Sequence, residues 1–88
     1  MAYYAAFLPI INEEKNKEYR PKHLAYIDEL CERGKVHSFG RFLDGVGGLV
    51  ILTCQSLEEA ESLMANDPCV IHGARTFEVH EWEMNVAK

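Results

Sequence analysis

The chain has 88 residues, 48% of them hydrophobic, with fourteen acidic and nine basic residues and a net charge of −5. That length fits one domain, residues 1–88, with a modest core. The acidic balance and the scatter of the basic residues argue against nucleic acid as a partner, which calls for a basic patch or stripe.

The chain opens on an apolar run, MAYYAAFLPII. No basic residue precedes it, as a signal peptide would need, and it is too short to span a bilayer. The expectation is a buried first strand, Tyr3 to Ile10, in a cytoplasmic protein with no membrane partner. Cys31, Cys54 and Cys69 fit the same compartment. Their odd number and the lack of a CxxC give no disulfide framework, so buried, reduced thiols are expected.

Asn12 to Glu18 is polar and reads as a loop, with at most one helical turn. Pro21 suits a first helical position, where its missing N–H costs nothing. Leu24, Ile27, Leu30 and Cys31 follow at helical spacing, and Gly34 is placed to end that helix. Val36 to Phe42 reads as a second strand. Asp44-Gly45 and Gly47-Gly48 supply turn chemistry before a third strand, Leu49 to Cys54. Ser56 and Glu59 form a capping box ahead of a helix with Leu57, Ala60, Leu63 and Met64 on its apolar stripe. Asp67-Pro68 stops that helix. Cys69 to Gly73 is a short turn, and Arg75 to Met84 is the last strand.

The order βαββαβ predicts an α+β, ferredoxin-like fold with a four-stranded antiparallel sheet. Two helices cover one face of such a sheet. The first and third strands are nevertheless apolar on both faces. The uncovered face therefore predicts a homodimer with sheets packed face to face.

His23 has two readings. At the third position of a helix that starts at Pro21, the positive end of the dipole would favour a neutral ring able to accept a proton. It could equally be a helix histidine with no task. Asp67 also has two readings, which are compatible. It is a good N-cap before Pro68, and its second oxygen could orient or charge His23. Spacing alone does not bring the two together.

His72, in the turn after Asp67, could line the same cleft. With Ser38 and Arg41 on the second strand, it completes the candidate substrate-binding set. No HxH, HxxxH or CxxC spacing supports a metal. Cys69 lies in the apolar run Cys69-Val70-Ile71, which suits packing rather than a nucleophile. Gly45-Val46-Gly47-Gly48 lacks the phosphate-loop pattern and joins two strands, so no cofactor is expected. Tyr3, Tyr4, Phe7, Phe39 and Trp82 are strand aromatics suited to the core or a dimer interface, and one or two could instead wall a flat pocket for a ring-shaped ligand.

Several stretches together resemble the YciI-like (YCII-related) family over nearly the whole chain. They are Arg20-Pro21-Lys22-His23-Leu24-Ala25-Tyr26, Gly34-Lys35, Gly40, Gly47-Gly48-Leu49, the Ser56-x-x-Glu59-Ala60 helix start, Asp67-Pro68 and Trp82. The resemblance implies a dimer of the dimeric α+β barrel type. It also implies a pocket near His23 and Asp67, which the family treats as a catalytic pair. One departure concerns Arg41, since many relatives have Gly-Pro where this chain has Gly40-Arg41. A relative that acts on chlorinated hydroxyquinones resembles a dehydrochlorinase, whose elimination needs a base.

The expected function is therefore acid/base proton transfer on a small cyclic compound, by elimination, isomerisation or lyase chemistry, with His23 as base or acid and Asp67 as its support. The alternative is a non-catalytic module that binds a small ligand or a protein.

Overall fold

The computed structural model describes residues 2–87. Strand β1 (Ala2–Pro9) leads through helix α1 (Glu13–Glu32) to the hairpin β2 (Val36–Arg41) and β3 (Gly47–Cys54). Helix α2 (Leu57–Ala65), the single turn α3 (Pro68–Ile71) and strand β4 (Glu78–Trp82) complete the chain. The sheet order is β2-β3-β1-β4, antiparallel at every pairing, which is the ferredoxin-like arrangement. β4 is shorter than the sequence suggests. Arg75 meets Ile10 only in an isolated bridge ahead of it.

Alternation on the strands divides the sheet into two faces. Tyr4, Ala6 and Leu8 of β1 pack with Val50, Leu52 and Cys54 of β3 beneath the helices. Ile27 and Leu30 from α1, and Ala60, Leu63 and Met64 from α2, close this core. The other face carries Tyr3, Ala5 and Phe7, paired directly with Thr53, Ile51 and Leu49 on one side. Trp82 lies beside Tyr3 on the other side. Among the described residues no helix covers this face, and Trp82 and Phe42 remain partly exposed. Gly47 is required where β3 begins. Its φ is +154°, and a Cβ there would run into the Leu8 carbonyl oxygen across the sheet.

Helix α1 corrects the sequence reading. It begins at Glu13, so Asn12 to Glu18 is not a loop. The Asn12 side chain accepts a hydrogen bond from the Lys15 N–H at 3.0 Å, and Glu13 and Glu14 occupy the first turn, where the dipole favours acids. The polar run hid the helix because two of its turns are almost wholly exposed. Pro21 lies inside α1 rather than at its start. Its missing N–H leaves the Lys17 carbonyl without its helical donor, on an exposed side of the helix where water can take that place.

The buried stripe of α1 also differs from the one expected. It runs through Asn16, His23, Ile27 and Leu30, with Tyr19 and Tyr26 half-buried beside it. Leu24 is 40% exposed, and Cys31 is exposed rather than buried. Two polar side chains, Asn16 and His23, thus occupy core-facing helix positions.

Cys54 and Cys69 are buried as free thiols. Burial, and then the Asp67 charge, push the Cys69 thiol up to about 11. Burial likewise raises Cys54. Alkylation of the folded protein by iodoacetamide at pH 8 should therefore label Cys31 and spare the other two. Mass spectrometry showing early modification of Cys69 would contradict this.

Candidate functional site

The His23 imidazole Nδ1 lies 2.6 Å from Asp67 Oδ2, across forty-four residues of sequence. His23 is 7% exposed and Asp67 is fully buried. The contact depends on two local structures. α1 presents His23 on its inner stripe. The chain leaving α2 turns at Asp67, whose Oδ1 accepts the Cys69 N–H at 2.9 Å and so caps α3. Pro68 at the first position of α3 fixes that turn. Each carboxylate oxygen of Asp67 therefore has its own task, and capping and pairing coexist.

The pairing sets the chemistry of the ring. An ionised carboxylate only accepts hydrogen bonds, so Nδ1 carries the proton. Nε2 is then left with its lone pair, available to take a proton. This is how a carboxylate fixes the tautomer and orientation of a working histidine. The dipole at the start of a helix does not contribute here. His23 lies ten residues beyond Glu13, and that field fades within the first turn.

His23 lines a cavity of about 230 Å³ between α1 and the β2–β3 end of the sheet. Leu8, Leu24, Phe39, Leu49 and Val50 give it apolar walls, and Arg20, Arg41 and Arg75 give it charge. The volume is below the roughly 300–1,000 Å³ of sites for drug-sized ligands, so it suits a small compound. Asp67 does not line the cavity. It sits behind the imidazole, out of reach of a ligand.

The other candidates fall in different places. Arg41 is at the cavity. Ser38 pairs with Ile51 on the open face of the sheet, and its hydroxyl lies 3.1 Å from His37 Nδ1. His72 is exposed and stacks on Tyr19 with ring centroids 4.1 Å apart. Neither Ser38 nor His72 lines the cavity that His23 faces. Arg75 and Arg20 were not picked out by the sequence reading. Arg20 precedes His23 by three residues and so shares its side of α1, a spacing that could have found it. Nothing local marks Arg75.

His23, Asp67 and Cys69 offer donor atoms within 4.8 Å of one another. In the arrangement seen, His23 and Asp67 are in direct hydrogen-bond contact at 2.6 Å. Two ligand atoms that each sit about 2.0–2.2 Å from one zinc ion stand farther apart than this. The trio is thus set up as a proton-bearing pair next to a buried thiol.

A profile of the YCII-related domain matches residues 2–83. The chain belongs to this family. It is 30% identical over 82 residues to the uncharacterised protein YjpA of Bacillus subtilis (strain 168), covering 93% of this chain and 96% of YjpA. Its fold is similar to that of the 5-chloro-2-hydroxyhydroquinone dehydrochlorinase TftG of Burkholderia phenoliruptrix AC1100, solved with 2,5-dihydroxybenzoquinone. The TM-score is 0.80 at 21% identity, over 94% of this chain and 95% of that one.

Proposed function

We propose that this protein is a cofactor-independent enzyme that moves a proton on a small cyclic compound. The observation that carries the reading is the buried His23–Asp67 hydrogen bond at the wall of a small, largely apolar cavity. His23 Nε2 would take a proton from the substrate's ring carbon or hydroxyl. Asp67 would stabilise the imidazolium that results, and the same nitrogen would return the proton to the product or to water. Elimination, isomerisation and lyase reactions all share this step. The fold neighbour acts on a chlorinated hydroxyhydroquinone, which makes hydroxylated rings the first compounds to test.

Incubation with a panel of chlorinated and unsubstituted hydroxyquinones in D₂O tests the reading directly. Chloride release, or deuterium entering the ring, without any added cofactor is the expected result. Binding with neither would make the domain a ligand-binding module instead.

We also propose that the protein works as a homodimer closed through the open sheet face. Tyr3, Phe7, Leu49, Ile51 and Trp82 give that face an apolar character unusual on a monomer. Light scattering should give twice the chain mass, and Phe7→Glu, at the centre of that face, should give the monomer. A parent protein that is monomeric at tens of micromolar would refute the dimer.

A further inference from the structure

We propose that the cavity beside His23 is an anion site, selective for a ring compound that carries a planar oxyanion, with Arg75 as its anchor. The proposal rests on reading this cavity as the place where His23 works.

Three of the chain's four arginines converge on it, in a protein whose net charge is −5. None of its lining residues is acidic among the described residues. Arg75 is the decisive one. It is only 6% exposed, and its Nε donates to Asn16 Oδ1 at 2.8 Å, a neutral partner. No carboxylate pairs with Arg75, Arg20 or Arg41 among the described residues. A buried guanidinium is ordinarily paired with an opposite charge. Asn16 instead holds this one by its inner edge. Among the described residues the terminal nitrogens have no protein acceptor, yet no buried side-chain nitrogen is left without a partner. They are therefore open to the cavities that Arg75 lines.

The surroundings fit that use. Gly48 leaves room for the guanidinium, since a Cβ there would lie 3.2 Å from Arg75 Nη1. Arg20 and Arg41 are exposed and stand at the same cavity and at the hollow beside it, which Arg75 also lines. Glu13 borders only that outer hollow, and Asp67 is spent on His23. A guanidinium recognises a flat, delocalised oxyanion through two parallel N–H donors. A carboxylate meets both donors with its two oxygens, and an ionised phenol or enol offers one oxygen that the two donors can share. Phe39 and Leu24 would flank the ring. A negative ring would then rest beside Nε2, where its charge favours the imidazolium formed on proton transfer.

The test is calorimetric titration with two probe pairs. Benzoate against benzamide reads a carboxylate. 4-Nitrophenol reads a phenolate, because its ionised form is yellow and an anion site lowers its apparent pKa. At least one anion should bind about tenfold or more tightly than its neutral form, the scale of hydrogen bonds to charged groups. Arg75→Gln should abolish the preference. The double variant Arg20→Gln/Arg41→Gln, at exposed positions, should weaken it severalfold if Arg75→Gln does not fold. His23→Asn should keep the preference, which separates this proposal from the catalytic one. Equal binding of charged and neutral probes, or failure of both anions to bind, would overturn it.

Discussion

Asp67→Ala is expected to destabilise the domain by about 3–5 kcal/mol, the usual consequence of removing one partner from a buried, charge-assisted contact. Two groups lose their acceptor at once. The Cys69 N–H loses its cap at 2.9 Å, worth about 1 kcal/mol alone, and His23 Nδ1 loses its partner at 2.6 Å. Asp67 is fully buried, so water does not readily replace either oxygen. A domain of this length holds roughly 4–13 kcal/mol in all. Urea unfolding at fixed protein concentration should show the midpoint falling by about 2 M or more, given a slope of about 1–2 kcal/mol/M. A shift below about 0.5 M would mean that Asp67 is not holding the α2–α3 corner. Asp67→Asn separates the two tasks of the carboxylate. Its amide oxygen can still cap α3, but its NH₂ would face His23 Nδ1 and force that nitrogen to accept. The proton would then sit on Nε2, and the base would be lost. Reversal of this kind costs about 10⁴-fold in a Ser-His-Asp triad, so activity should collapse with much of the stability retained.

His23→Asn should lower turnover by about 10²–10⁴-fold, the range for a positioned general acid or base. Asparagine is the informative replacement. Its side-chain amide reaches about where Nδ1 was and can still donate to Asp67 Oδ2, while nothing replaces Nε2. The fold should therefore survive, as circular dichroism and thermal unfolding would show. Rates measured on a hydroxyquinone that the parent protein converts decide the matter. A variant within threefold of the parent would remove His23 from the chemistry and leave the pair as a structural contact. Loss of kcat with little change in KM is the pattern expected of a group that acts in the transition state alone.

The strands and the second helix were legible in the sequence because their signals are local. Ser56 does cap the helix, its Oγ accepting the Glu59 N–H at 3.1 Å, while Glu59 Oε1 reaches back one residue further than a capping box asks and accepts the Gln55 N–H at 2.8 Å. The Gln55 N–H, and then the Lys35 ammonium 2.6 Å from Glu59 Oε2, hold the Glu59 carboxyl below its usual range. The start of α1 was not legible. Its first turns are polar and exposed, so apolar periodicity, which marks a helix only where it meets a core, had nothing to report. The mistake carried a consequence. It placed His23 at a helix terminus and credited a dipole with work that Asp67 is positioned to do.

By itself the sequence determined the βαββαβ order, the turn at Asp67-Pro68 and the family resemblance, since each rests on neighbours a few residues apart or on a pattern along the chain. Tertiary structure alone decided that His23 meets Asp67 and that Arg20, Arg41 and Arg75 reach one cavity. Those meetings depend on sheet order and on the rotation of α1 about its axis, which turns Asn16 and His23 inward and Leu24 toward the cavity mouth. Ile27 and Leu30 set that rotation by packing on the sheet. Residues forty-four and fifty-nine positions apart are brought together by burial, a force without direction along the chain.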